Sequence, residues 1–171
     1  TSGTYNCEKE KRMKKLFLVI FILCLFVPSG FPQVNPRGEA SAELSGGRVA
    51  IEYGRPSLKG RKIKNMISAG EQWRMGADAS TTLTTQVNLN FDHQRIMKGE
   101  YVLRAKFLGE LKWHLLIHDK NKAKVAEVPL TFEKNPKNID VMTIRVEGKE
   151  KSGTFTLEWG NLRLSANFKV S

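Results

Sequence analysis

Two short runs carry the side chains best suited to chemistry: Tyr53-Gly54-Arg55-Pro56-Ser57-Leu58-Lys59-Gly60-Arg61 and Glu71-Gln72-Trp73-Arg74-Met75-Gly76-Ala77-Asp78. Arg55, Arg61 and Arg74 are planar forks that grip carboxylate or phosphate through paired hydrogen bonds. Trp73 offers a flat face to a sugar, a base or a cation. Gly54, Gly60 and Gly76 permit backbone turns that a side chain would forbid, and Pro56 stiffens the first of them. The pattern points to recognition of an anionic or sugar-like ligand by Arg55, Arg61, Arg74, Trp73, Asp78 and Lys59. The same residues support a second reading. Arg55 or Arg74 would pair with Asp78, Glu52 or Glu71, Trp73 would enter the core, and the segment would be a loop pinned to the body of the protein.

Other constellations are weaker. His114-Leu-Leu-Ile-His118 has the i, i+4 spacing of a helical metal pair, but it lacks the glutamate of the zinc-protease motif and reads as a strand. At about 3.3 Å per residue its two histidines would stand roughly 13 Å apart, too far to share an ion. His93 falls in a turn. A hydrolase built on Ser57 and His118 is a third and minor reading. No catalytic set, metal site or cofactor is expected.

Residues 54–80 hold both runs, and they form the one long irregular stretch in a chain that otherwise alternates with period two. ASAEL (40–44) and RVAIEY (48–53) flank a Gly-containing hairpin connection. They are followed by TTLTTQVNLNF (81–91), EYVLRAKF (100–107), LKWHLLIH (111–118), KVAEVPLTF (124–132), IDVMTIRVEG (139–148), GTFTLEWG (153–160) and NLRLSANFKV (161–170). Eight or nine short strands with almost no helix signal predict an antiparallel β-sandwich of jelly-roll type, with a closed barrel as the alternative. Trp113 and Trp159 stand mid-strand among apolar neighbours and are expected in the core.

The chain has 171 residues, 40% of them hydrophobic, and a formal net charge of +11. This composition excludes a collagen, a mostly disordered chain and a multi-span membrane protein. Residues 1–12 read as an upstream or non-native leader, and Met13 as the start of a signal peptide spanning 13–30. A cationic head precedes the apolar run Leu16 to Val27, which Pro28, Ser29 and Gly30 break. Twelve helical residues cover only about 18 Å, short of the roughly 30 Å of a bilayer core, so a cleaved signal is expected rather than an anchor. The expected product is an exported protein, periplasmic or secreted, with a flexible lead-in at 31–39 and a single domain at 40–171.

Processing would remove Cys7 and Cys24 and with them any thiol chemistry. It would also lower the net charge to +8, of which +5 falls between Arg48 and Arg74. That concentration favours an anionic small molecule, a glycan or the envelope surface as partner. Nucleic acid is disfavoured, because no binding motif appears and aromatic residues are not interleaved with the basic run.

The aromatic-Gly-Arg-Pro-Ser step at 53–57, the Lys59-Gly60-Arg61 turn, the Trp73-Arg74-Met75-Gly76-Ala77-Asp78 step and the threonines that follow resemble the signature of a bacterial family catalogued as domain of unknown function 2911. Gly99-Glu100-Tyr101 and Trp113-His114-Leu115-Leu116-Ile117 are similar to that family's Gly-x-Tyr hairpin and tryptophan-bearing strand. The resemblance covers roughly residues 40–170. It departs from the pattern at Lys64-Asn65-Met66-Ile67, where a Phe-Gly step is common, and at Glu100, where threonine is common. It implies an exported protein and brings no assigned activity. A structural or assembly component of the cell envelope is therefore the alternative to a ligand-binding module.

Overall fold

The computed structural model describes residues 35–171, so the leader, the signal-like segment and residues 31–34 of the lead-in lie outside the described residues. Ten strands follow: β1 (Arg37–Leu44), β2 (Gly47–Gly54), β3 (Gln72–Trp73), β4 (Thr81–Thr85), β5 (Leu89–Phe91), β6 (Gln94–Ile96), β7 (Gly99–Gly109), β8 (Lys112–His118), β9 (Lys124–Lys149) and β10 (Ser152–Val170). Every pairing is antiparallel, in the order β1-β2-β4-β7-β8-β9-β10-β5-β6, with β3 continuing the row of β4 along β7. The two ends of this path, β1 and β6, are not joined, so the architecture is the expected sandwich-like one and not the closed barrel. Among the described residues no helix is long and apolar enough to cross a membrane.

Period-two alternation places Val49 and Ile51 of β2, Leu83 of β4, Leu103 of β7 and Leu115 and Ile117 of β8 inward, all buried. They meet Leu89 and Phe91 of β5, Val146 of β9 and Phe155 and Phe168 of β10. Tyr53 ties the two layers as well, its hydroxyl donating to the carbonyl of Ile144 at 3.3 Å.

Three departures from simple alternation shape the fold. The run 81–91 is two strands rather than one. Thr85 Oγ1 donates to the carbonyl of Val87 at 2.6 Å and Gln86 Oε1 accepts from the Arg48 amide, so side chains take backbone partners and bend the chain out of one layer into the other. β9 runs unbroken through the expected gap at 133–138. Its first part pairs with β8 and the rest with β10, which makes it the corner shared by both layers.

The last two expected strands form one element that doubles back at Gly160, whose φ is +60°. The Val170 amide donates to the carbonyl of Lys151 at 2.8 Å and Thr154 Oγ1 to Asn167 Oδ1 at 2.8 Å, so the two ends of β10 lie side by side. The buried face accordingly switches from Phe155, Leu157 and Trp159 to Leu162, Leu164 and Phe168.

The turn joining β7 to β8 is a tight one, with Gly109 opposite Lys112 and both Glu110 and Leu111 at positive φ, 50° and 65°. Such turns favour Asn-Gly, and an L-residue with a long side chain is strained there. Leu111 is 58% exposed and loses little contact on truncation. Leu111→Gly is therefore expected to raise stability by roughly 0.5–1 kcal/mol, read as a melting temperature higher by about 2–4 °C. A fall would show that the leucine makes a contact that outweighs its backbone strain.

Candidate functional site

The segment between β2 and β4 is fastened to the sandwich at four places. Pro56 and Leu58 lie against the corner strand β9, where Met142 N–H donates to the carbonyl of Pro56 at 3.0 Å and Leu58 N–H to that of Asp140 at 2.9 Å. These bonds make a short antiparallel bridge between Ser57 and Val141. The Asp140 carboxylate then takes two more donors from the segment. The Ser57 hydroxyl donates a short hydrogen bond to Oδ2, and the Lys59 amide donates to Oδ1 at 3.1 Å. The same residue's carbonyl accepts the Trp159 indole N–H at 3.1 Å. One acidic residue thus joins the segment to β9 and β10.

Leu58, Ile63 and Ile67 are buried and form the second fastening. Leu58 and Ile63 press on Gly160, where an added Cβ would stand 3.1 Å from a methyl of each. The third is β3, which pairs with β7 and lays Trp73 parallel to Trp159, with ring centroids 5.5 Å apart and 11° between planes. Fourth, the backbone at Gly76 and Ala77 crosses Gly54 so closely that a Cβ on Gly54 would sit 2.1 Å from the Ala77 carbonyl oxygen. There Thr81 Oγ1 donates to the Met75 carbonyl at 2.8 Å, and Met75 is fully buried.

This framework distributes the residues expected to act together. Lys59 and Gly60, both at positive φ, form a turn closed by Arg61 N–H to the Leu58 carbonyl at 3.0 Å. That turn aims the Arg61 guanidinium back at the same loop, Nε to the Leu58 carbonyl at 3.0 Å and Nη2 to the Ser57 carbonyl at 3.1 Å. Arg74 Nη1 donates to the Asp78 carbonyl at 2.8 Å, and Asp78 Oδ2 accepts from the Asn35 amide at 2.9 Å and from Asn35 Nδ2 at 3.2 Å. Trp73 has one face covered by Trp159.

None of the ion pairs weighed for Arg55 or Arg74 forms. Glu52 pairs with Arg37 at 3.6 Å, and Glu71 Oε2 accepts from the Ser68 amide at 2.9 Å. Carbonyls, not carboxylates, hold the loop arginines that are held.

Arg55 differs from the other two. Its amide donates to the Pro36 carbonyl at 2.8 Å, but its Nε is buried with no acceptor, and the side chain makes no hydrogen bond or ion pair among the described residues. Gly38 gives it room, since a Cβ there would approach Arg55 Cδ to 2.6 Å. The set therefore separates into Arg55, Arg74 and Asp78 beside residues 35–38, and Lys59 and Arg61 beside Asp140, with Trp73 stacked on Trp159.

Sequence reasoning missed two polar centres. Asp140 interrupts the apolar run Ile139 to Met142, and that interruption was the available signal. Glu158, flanked by Leu157 and Trp159, is buried on the opposite face of β10. It takes a short hydrogen bond from Arg145, one from Asn135 Nδ2 at 3.0 Å and one from Arg163 at 3.5 Å. On β8, His114 Nδ1 lies 2.8 Å from Glu127, and Lys124 approaches the same carboxylate at 2.5 Å. Those two hydrogen bonds, Lys124 first, hold the Glu127 carboxyl down to about 2. His118 shares that strand face with Nδ1 buried and unpartnered; burial, then the nearby Arg104 and Lys124 charges, lowers its affinity for a proton. Among the described residues no three such side chains are placed to share a metal ion.

The model of a family described as a protein of unknown function (DUF2911) matches residues 35–168, and the chain belongs to that family. No curated protein and no solved structure matches.

Asp140→Ala removes the acceptor for both the Ser57 hydroxyl and the Lys59 amide while leaving the backbone bridge in place. It is expected to cost roughly 1–2 kcal/mol in chemical denaturation, and to make the loop a preferred site of limited proteolysis. Unchanged stability with unchanged proteolysis would show that the backbone bridge alone holds the loop.

Proposed function

We propose that this chain is an exported, non-catalytic binding module for an anionic or sugar-like ligand, and that the loop between β2 and β4 supplies the recognition. The observation that carries this reading is Arg55. A buried donor without an acceptor costs roughly 1–3 kcal/mol, and such orphans are uncommon enough in folded proteins to need a reason. An incoming carboxylate or phosphate on the two terminal nitrogens, which no protein group takes, would offset that cost. Arg74 and Lys59 lend positive charge to the same loop, while Arg61 and Trp73 hold it in shape. Export rests on the cationic head and apolar run of residues 13–30, and mass measurement of the processed N-terminus tests it.

A second reading has its own support. The hydrogen bonds of Arg61 and Arg74 to loop carbonyls, and of Asp78 to Asn35, are what a purely structural strap requires. In that reading the protein is a structural or assembly component of the envelope.

Arg55→Gln separates the two. The binding reading expects inorganic phosphate to raise the wild-type melting temperature in a saturable way, as ligand linkage requires, and the variant to lose that response. In buffer alone the variant should stay within about 1 kcal/mol of wild type, since the lost guanidinium had no partner to leave behind. A variant that melts several degrees lower, with no anion effect on either protein, favours the strap.

A further inference from the structure

A second feature lies apart from Arg55 and does not rest on it. Where the Lys59-Gly60 turn meets the fold of β10 at Gly160, the surface opens into a hollow of about 510 Å³ with Leu58 and Ile63 at its apolar base. Arg61, Lys62, Asn138 and Asn161 stand around it, all exposed, and no acidic residue lines it. The volume falls within the range of small-molecule sites, which pair an apolar lining with a few convergent polar groups.

The chemistry of the four polar side chains is specific. Arg61 is already oriented by its bonds from Nε and Nη2 to loop carbonyls, so Nη1 remains as a positioned donor. Ordering that side chain on binding therefore costs little entropy. Lys62 has no counter-charge among the described residues. Asn138 and Asn161 make no side-chain hydrogen bonds there either, and each amide offers donors and an acceptor. Two cations facing two free amides suit a ligand that combines an oxyanion with hydroxyl groups. A bare anion would leave the amides unused, and a neutral sugar would leave the charges unanswered.

We infer that this hollow binds a sugar bearing a carboxylate or phosphate group, with Arg61 and Lys62 on the oxyanion and Asn138 and Asn161 on the hydroxyls.

Calorimetric titration of the full chain carrying Arg55→Gln, which takes the site at Arg55 out of the measurement, tests this with glucuronate and glucose 6-phosphate as probes, and with glucose and inorganic phosphate as controls. The expected result is saturable 1:1 binding of at least one acidic sugar, tighter than both controls. Which probe binds identifies the oxyanion. Lys62→Glu should weaken that binding at least about tenfold, the loss that a charge-assisted contact of ordinary strength gives. The double variant Asn138→Ala, Asn161→Ala should weaken the acidic sugar and leave phosphate unaffected. Both changes are at exposed positions, so unchanged melting temperatures confirm folded variants, whereas Arg61→Ala would also disturb the loop. The other substitutions are made in the same Arg55→Gln background, so the binding they report is separate from the site at Arg55. Absence of saturable binding, equal affinity for inorganic phosphate, or binding that survives Lys62→Glu overturns the inference.

Discussion

Asp140 is the point on which the arrangement of the loop depends. Its carboxylate takes the Ser57 hydroxyl and the Lys59 amide, and its carbonyl takes Leu58 N–H and the Trp159 indole. Each neutral hydrogen bond contributes on the order of 1 kcal/mol, and those accepted by the carboxylate contribute more. Their importance lies in what they join. The corner strand β9 carries the residue, β10 supplies the tryptophan, and the loop supplies the other three donors. A segment of 26 residues between β2 and β4 would otherwise carry a row of unsatisfied backbone groups over an apolar surface.

The rest of the site follows from that fastening. With Leu58 held against Asp140, Leu58 and Ile63 settle on Gly160, and the Lys59-Gly60 turn sends Arg61 back across its own loop. With Trp159 held by the same carbonyl, Trp73 can stack on it, a contact that adds about 0.5–1.5 kcal/mol beyond the area it buries. The positive charge concentrated in the sequence between Arg48 and Arg74 is therefore presented on a rigid support. Arg61 and Arg74 are anchored at one edge of the guanidinium, and Arg55 at none. A fastened loop and a recognition surface are compatible, since a cation already oriented by carbonyls loses less freedom when it meets an anion.

Much of the architecture was legible in the sequence because it is local. Alternation marked β2, β7 and β8, the Gly-containing step after Leu44 marked the first hairpin, and Lys59-Gly60-Arg61 read as a turn. The core positions of Trp113 and Trp159 followed from their apolar neighbours. What escaped depends on contacts between distant residues. The bend at 86–88 needs Arg48 as a partner for Gln86, one face of Trp73 is covered by a residue 86 positions later, and the anchoring role of Asp140 exists only once Ser57 and Lys59 arrive beside it. The ion pairs weighed for the loop arginines failed for a related reason. Composition shows which charges are available, but backbone carbonyls brought near by a turn compete for the same donors and are invisible to it.

The central claim is that the loop is fastened to the body of the protein through Asp140 rather than resting on it as a mobile lid. Amide hydrogen exchange of the full chain measures this directly at Leu58, Lys59 and Met142, whose N–H groups form the fastening. The account predicts protection at these three amides comparable to that of paired residues in β9, opening only with the larger structural unit. Exchange at Leu58 and Lys59 as fast as in an unstructured chain, with β9 still protected, would contradict it.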